Sequence, residues 1–208
     1  MNRGLNRSGI LTDEADKKWF SDAVADYKAL CGARVYHWAW MDTHYHMLVE
    51  VVFENLRAFA GGIQQVYAQY HHKRHKGSGK FWEGRFGSKP VEIGEYLGRC
   101  GRYIERNPVR AGLAAKAWQY KWSSAGFYVN GKDDKLTDLN KYIWHTESPG
   151  KSDREEYAQA LTRTDDDEWM GKQMLRSAIG TENFMRQLKM EGGRHRRKRG
   201  KPAKVCEY

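Results

Sequence analysis

The sequence predicts an α+β domain built on one small antiparallel sheet. Two observations carry that reading. ARVYHWAWM and YHMLVEVV are rich in aromatic and β-branched residues and alternate, with only Asp42 and Thr43 between them as a tight turn, so they pair as a hairpin. Segments of helical period flank the hairpin on both sides, giving the order helix, hairpin, helix, strand, helix.

Each element follows from its residues. TDEADKKWFSDAVADYKALCG reads as the first helix, with Thr12 as N-cap, acids in the first turn and Gly32 as its stop. Phe20, Val24, Tyr27 and Cys31 share one face of it. After the hairpin, Asn55 can cap a second helix whose face is Leu56, Phe59, Ile63, Val66 and Tyr70. Gly61 and Gly62 weaken that helix by about 1 kcal/mol each, which suggests a close approach there. HHKRHKGSGK is a loop and KFWEGRFGSKPV a further strand. EIGEYLGRCGRYIER is a third helix, ended by Asn107-Pro108. Beyond Gly131 the chain turns polar, with connectors such as RTDDDE around short helical pieces. The expected organisation is a domain over 1–130, a helical extension over 131–191 and a basic, disordered tail over 192–208.

Charge narrows the function. The 208 residues carry 36 Lys and Arg against 26 Asp and Glu, a net +10. The excess sits in two places. RHRRKRGKPAK holds seven Lys or Arg and no acid, and the span from Lys73 to Arg110 holds ten against four Glu. Two such zones favour a polyanionic partner. No apolar run approaches the roughly 20 residues that span a bilayer, so no membrane role is expected. The three cysteines are odd in number and lie outside any CxxC, which fits a reducing cytoplasm and argues against a disulfide framework.

The chemistry centres on THYHMLVEVV. Alternation puts His44 and His46 on one face of their strand, where two imidazoles can chelate a divalent cation if another element supplies a third ligand. A polar strand end beside a turn has the same pattern. On the third helix Tyr103 lies four residues before Asn107, so both project from its last turn, with Arg99 and Arg102 nearby. A phenol, an amide oxygen and arginines supply a nucleophile, a third metal ligand and charge for a phosphodiester.

These residues resemble the REP-associated tyrosine transposases, within the HUH single-tyrosine transposase superfamily. MDTHYHMLVEV, GKFWEGRFGSKPVE, RYIERNPVRAGL and YKWSSAGFY carry the resemblance, which spans roughly Asn2 to Tyr128. It implies a ferredoxin-like sheet of the HUH endonuclease fold, with His44, His46 and Asn107 as ligands to Mg²⁺ or Mn²⁺ and Tyr103 as the nucleophile. The implied reaction is attack of Tyr103 on single-stranded, hairpin-bearing DNA, leaving a 5′-phosphotyrosine and a free 3′-hydroxyl. The implied setting is the bacterial nucleoid in the cytoplasm, as a monomer or homodimer. Such proteins carry a strand before the segment that MNRGLNRSGIL resembles, so the first strand is expected to be missing here. Gly94, Gly98 and Gly101 predict a soft catalytic helix.

Other residues complete the picture. Lys80, Trp82 and Arg85 in KFWEGRF mix aromatics with cations, a pattern that stacks bases and holds phosphates or simply forms an amphipathic edge. Arg99, Arg102 and Arg110, with Arg196, Arg197 and Arg199 in the tail, are the remaining candidates for DNA contact. His71 and His75 have the i,i+4 spacing of zinc ligands, but Lys73, Arg74 and Lys76 around them argue against a cation. The competing reading of the whole chain is a non-cleaving nucleic-acid-binding protein on the same scaffold.

Overall fold

The computed structural model describes residues 1–144, 146 and 148–194. Among them the chain forms three strands and eight α-helices. The sheet is antiparallel, with β3 (His44–Glu50) between β1 (Asn2–Arg3) and β2 (Arg34–Trp40). The only strand before α1 among the described residues is β1, two residues long, inside MNRGLNRSGIL and at the sheet edge. Two residues suffice to pair Asn2 with Tyr45 and Arg3 with His44, and the Gly4 amide extends the ladder to Thr43 O at 3.0 Å.

A bulge at Tyr36 decides which residues face which side. Val35 pairs with Val49, but His37 pairs with Leu48, so Tyr36 is the extra residue. Beyond it His37 and Ala39 share a face with Leu48 and His46, while Trp38 and Trp40 lie with Met47 and Tyr45 on the other. The bulge thus brings a histidine of β2 to the histidine face of β3.

The aromatic face packs on α1 (Glu14–Cys31) and α2 (Phe53–His75). Fully buried Phe20 meets Trp40, Tyr45 and Tyr67, each with ring centroids 4.9 Å away. The N-cap of α1 is Asp13 rather than Thr12, because Asp13 accepts from the Asp16 amide at 2.9 Å. Gly32 ends the helix in the left-handed conformation, as expected. Asn55 is not the cap of α2: it lies inside the first turn and donates to Cys31 O at 3.2 Å. The close approach expected at the glycine pair is real at Gly62, where the Tyr27 ring occupies the space of a side chain.

The histidine face packs on α3 (Glu95–Glu105), through Leu97, Cys100 and Ile104 against Ala39 and Leu48. One short turn, α4 (Asn107–Arg110), follows with Pro108 in its first turn, where a missing amide costs nothing. KFWEGRFGSKPV is not a strand. Its backbone bridges to Gly4 at Trp82, then Val91 pairs in parallel with Ile179, and the rest is irregular. Gly84 and Gly87 interrupt the alternation that a ladder needs.

α5 (Ala125–Asn130) follows a segment that runs along the outer edge of β2, with Trp40 N donating to Trp122 O at 2.9 Å. Three more helices complete the described chain: α6 (Lys151–Ala160), α7 (Asp165–Gln173) and α8 (Glu182–Arg194). They do not stand apart from the sheet. Met170 and Ile179 join the cluster of Leu97 and Ile104, and Tyr157 packs behind α3. RTDDDE is not a connector, since its acids open α7.

Candidate active site

β3, the middle strand, presents His44 and His46 towards α3. Their rings lie 5.2 Å apart and nearly perpendicular, and His44 Nδ1 is 3.1 Å from Thr43 Oγ1. Burial lowers the pKa of both rings, reinforced at His44 by Arg3 and Arg110, and drives that of His46 well below the usual histidine value. Both are therefore neutral near pH 7, the form that has a lone pair to give a metal.

Across the interface stands half-buried Tyr103, its ring edge-on to His46 with centroids 6.4 Å apart. Arg110 knits this region together. Its guanidinium lies 3.8 Å over the Tyr103 ring and donates to Tyr103 O (3.0 Å) and Asn107 Oδ1 (2.7 Å). Asn107 Nδ2 donates in turn to the carbonyls of Tyr103 (3.1 Å) and Ile104 (3.0 Å). His44, His46, Tyr103, Asn107 and Arg110 thus belong to one region. The amide oxygen assigned to a metal already accepts from Arg110, so only its second lone pair remains for an ion.

Arg99 and Arg102, expected to meet a phosphate, are both held by buried Asp166 at 2.7 and 2.6 Å. Arg106 and Arg110 pair with Asp167, each at 2.9 Å, and Arg99 also stacks 4.0 Å over Trp169. The reason is spacing. Residues 99, 102, 106 and 110 fall on one stripe continuing from α3 through α4, and the acid-rich first turn of α7 meets that stripe. Asp166 and Asp167 are site residues that the sequence reading missed. Their signal was a DDDE run matching an arginine stripe of helical period.

Behind Tyr103 lies a polar cluster that the sequence did not reveal. The fully buried Glu105 carboxylate accepts at Oε1 from Ser124 Oγ (2.6 Å) and His37 Nδ1 (2.8 Å), and at Oε2 from Tyr157 (2.9 Å). The His37 tautomer follows from Asn140. Its Oδ1 accepts from Tyr142 N at 3.1 Å, so Nδ2 is the group that meets His37 Nε2 at 3.1 Å. Nε2 must then accept, and the single ring proton is on Nδ1, facing Glu105. Burial, then the Glu105 charge, pushes the Tyr157 and Tyr128 hydroxyls well above the usual phenol value, so both remain donors. Gly101 lets this cluster reach α3: a Cβ there would lie 2.7 Å from the His37 ring.

Elsewhere, Lys80 and Arg85 are exposed, as an anion-binding role requires. Trp82 is not a free stacking platform, because it packs against Tyr45 and donates to Gln64 O at 2.9 Å. Arg196, Arg197 and Arg199 lie outside the described residues. No helix among the described residues is long and apolar enough to cross a membrane.

Paired histidines on a central strand, facing a tyrosine on α3, fit the class of DNA transposases suggested by the sequence. Comparison with known proteins bears this out. The family model described as "Transposase IS200 like" matches residues 1–107, slightly more than half of the chain. The chain belongs to the IS200-like transposase family. Its fold is similar to that of a solved structure described as "Structure of the REP associates tyrosine transposase bound to a REP hairpin". The TM-score is 0.52 and the identity 16%, over 67% of this chain and 82% of that one. No curated protein matches the chain.

Proposed function

We propose that this transposase cuts and rejoins single-stranded DNA at hairpins, with Tyr103 as nucleophile. The observation that carries the reading is the approach of the Tyr103 ring to His46 across the β3–α3 interface. The hairpin preference rests on the similar fold of a protein whose structure was solved bound to a REP hairpin.

The phenolic oxygen of Tyr103 forms a bond to phosphorus while the bond from phosphorus to the 3′ oxygen breaks. The phenol proton goes to solvent and the departing oxygen takes up a proton, leaving a 5′-phosphotyrosine and a 3′-hydroxyl. Reversal by that hydroxyl, or by another 3′ end, completes strand transfer, so no nucleotide cofactor is needed. His44 and His46, neutral and with rings 5.2 Å apart, fit a divalent ion such as Mg²⁺ or Mn²⁺. Asn107 can add its amide oxygen if it shares or gives up its bond from Arg110. A metal held there would polarise the phosphate and offset charge on the transition state. Arg110 holds the Tyr103 ring, while Lys80 and Arg85 offer exposed charge to the DNA backbone.

A second reading is favoured by one observation. Arg99, Arg102 and the Asn107 amide are all engaged within the protein, as they would be in a binder that does not cut. Incubation with end-labelled hairpin DNA and Mn²⁺, followed by denaturing electrophoresis, separates the two. A covalent adduct that disappears in Tyr103→Phe supports the first reading. Tight binding with no adduct supports the second.

A further inference from the structure

We propose that Asp16, His71 and His75 form a second divalent-metal site, separate from the His44–His46 pair, that clamps the start of α1 to the end of α2. One ligand atom from each of the three lies within 4.8 Å of the others. His71 and His75 stand one turn apart on α2, rings 4.1 Å apart, and Asp16 reaches them from the first turn of α1. Both elements cover the aromatic face of the sheet, the opposite side from α3 and Tyr103.

The chemistry of the cluster suits a cation. Asp16 is fully buried, and its Oδ1 accepts from Arg74 at 2.5 Å while its Oδ2 lies 3.0 Å from His75 Nε2. Arg74 Nη1, a donor, is also 3.1 Å from His75 Nε2. Both Nη1 hydrogens are taken, by Asp16 Oδ1 and by Asp13 Oδ2 at 2.7 Å, so none is left for Nε2. Nε2 therefore faces only the carboxylate, which it can meet through a proton or through a shared cation. A metal between Nε2 and Oδ2 takes a lone pair from each and leaves Arg74 on Oδ1. Burial lowers the pKa of His71, leaving its ring neutral and able to ligate. The charges that argued against a cation are compensated here. Arg74 is held by Asp13 (2.7 Å) as well as Asp16, and Lys73 and Lys76 are exposed.

Two imidazoles and one carboxylate suit a borderline ion such as Zn²⁺, with solvent in the fourth position. His75 is about one-third exposed, which gives an entry path. The Phe81 ring packs 4.6 Å from His71, so the clamp would also steady the entry to the KFWEGRF segment.

The test uses full-length His44→Ala/His46→Ala protein, stripped with EDTA and titrated with Co²⁺. One equivalent should bind with the visible absorption of a four-coordinate site, and Zn²⁺ should raise the melting temperature by a few degrees. Adding His71→Gln/His75→Gln should abolish both effects. No Co²⁺ band in the protein that retains His71 and His75 overturns the proposal and leaves Asp16–His75 as an ion pair. This arm does not require the second pair of substitutions to fold. A band that survives them also overturns it, by placing the metal elsewhere. Neither result bears on Tyr103 or the His44–His46 pair.

Discussion

The Arg110 guanidinium lies flat over the ring of Tyr103, 3.8 Å from its centroid, with its nitrogens bonded to Asn107 and Asp167. One side chain therefore touches the proposed nucleophile, the proposed amide ligand and the acidic helix that covers the arginine stripe. Arg110→Ala should lower the single-turnover rate of adduct formation at least tenfold while leaving hairpin affinity within about threefold. Stability should fall by about 2 kcal/mol, the scale of an exposed cation–π contact together with charged hydrogen bonds that solvent partly screens. Arg110→Lys should not restore the rate, because an ammonium cannot stack and bridge two acceptors in the same geometry. Full activity in Arg110→Lys would show that charge alone is required.

Tyr103→Phe should abolish the covalent adduct and change the melting temperature little. It removes the oxygen and keeps the half-buried ring against Arg110. If the adduct persists, the nucleophile is another tyrosine, with Tyr96 on the same helix the next to test.

His44→Ala and His46→Ala should each lose Mn²⁺-stimulated cleavage, but with different effects on stability. His44 is half-buried at the strand start, so its loss should cost under about 1 kcal/mol. His46 is buried beside α3 and leaves a gap, so its loss should cost about 2 kcal/mol. Urea melts and cleavage assays on the same preparations separate these effects. Metal-stimulated cleavage by either variant would sink the ligand assignment.

Asp166→Asn should destabilise the fold by about 3 kcal/mol, because two arginines lose a buried anionic partner. It should also strengthen binding of single-stranded DNA at low salt and steepen the salt dependence, since Arg99 and Arg102 become available to phosphates. Each new contact adds about 0.7 to the slope of log K against log salt. Unchanged affinity would mean that these arginines serve only to hold α7.

Truncation before Arg194 removes seven Lys or Arg and should flatten the same salt slope while sparing the preference for hairpins over unstructured strands. Salt titrations on both DNAs provide the check. A truncated protein that loses discrimination but keeps its slope would assign hairpin choice to the tail.

Much of the frame was legible in the sequence. The hairpin stood out because Trp38, Trp40, Tyr45 and Met47 alternate with polar or small residues, and α1 because Phe20 and Val24 repeat at helical spacing before a glycine stop. The pairing of His44 with His46 and of Tyr103 with Asn107 followed from the same periods. What escaped the reading depended on contacts distant in sequence. The DDDE run and the arginine stripe are each visible, but their distance in sequence hides that Asp166 binds Arg99, and nothing near His71 points to Asp16. The bulge at Tyr36 also left no mark, although it turns His37 towards Glu105. KFWEGRF misled because mixed aromatics and charges suit a strand, while its glycines and the pairing of Trp82 with Gly4 alone prevent a ladder.

The contact between Gly101 and His37 has a consequence for timescale. The glycines of α3 suggest a soft helix, yet Gly101 is filled by an imidazole locked to Glu105, and Ile143 and Arg102 lie in ordinary contact with the open side of Gly98. The backbone that carries Tyr103 is thus clamped from behind. The phenol then moves by turning about its own two side-chain bonds, a faster motion than the sliding of a helix. On so short a tether, the proposed nucleophile would work as a fixed ruler. The position of the cut should then follow from how far the hairpin seats, and lengthening the stem-to-cleavage spacing by one nucleotide should shift the scissile bond rather than be absorbed by the protein.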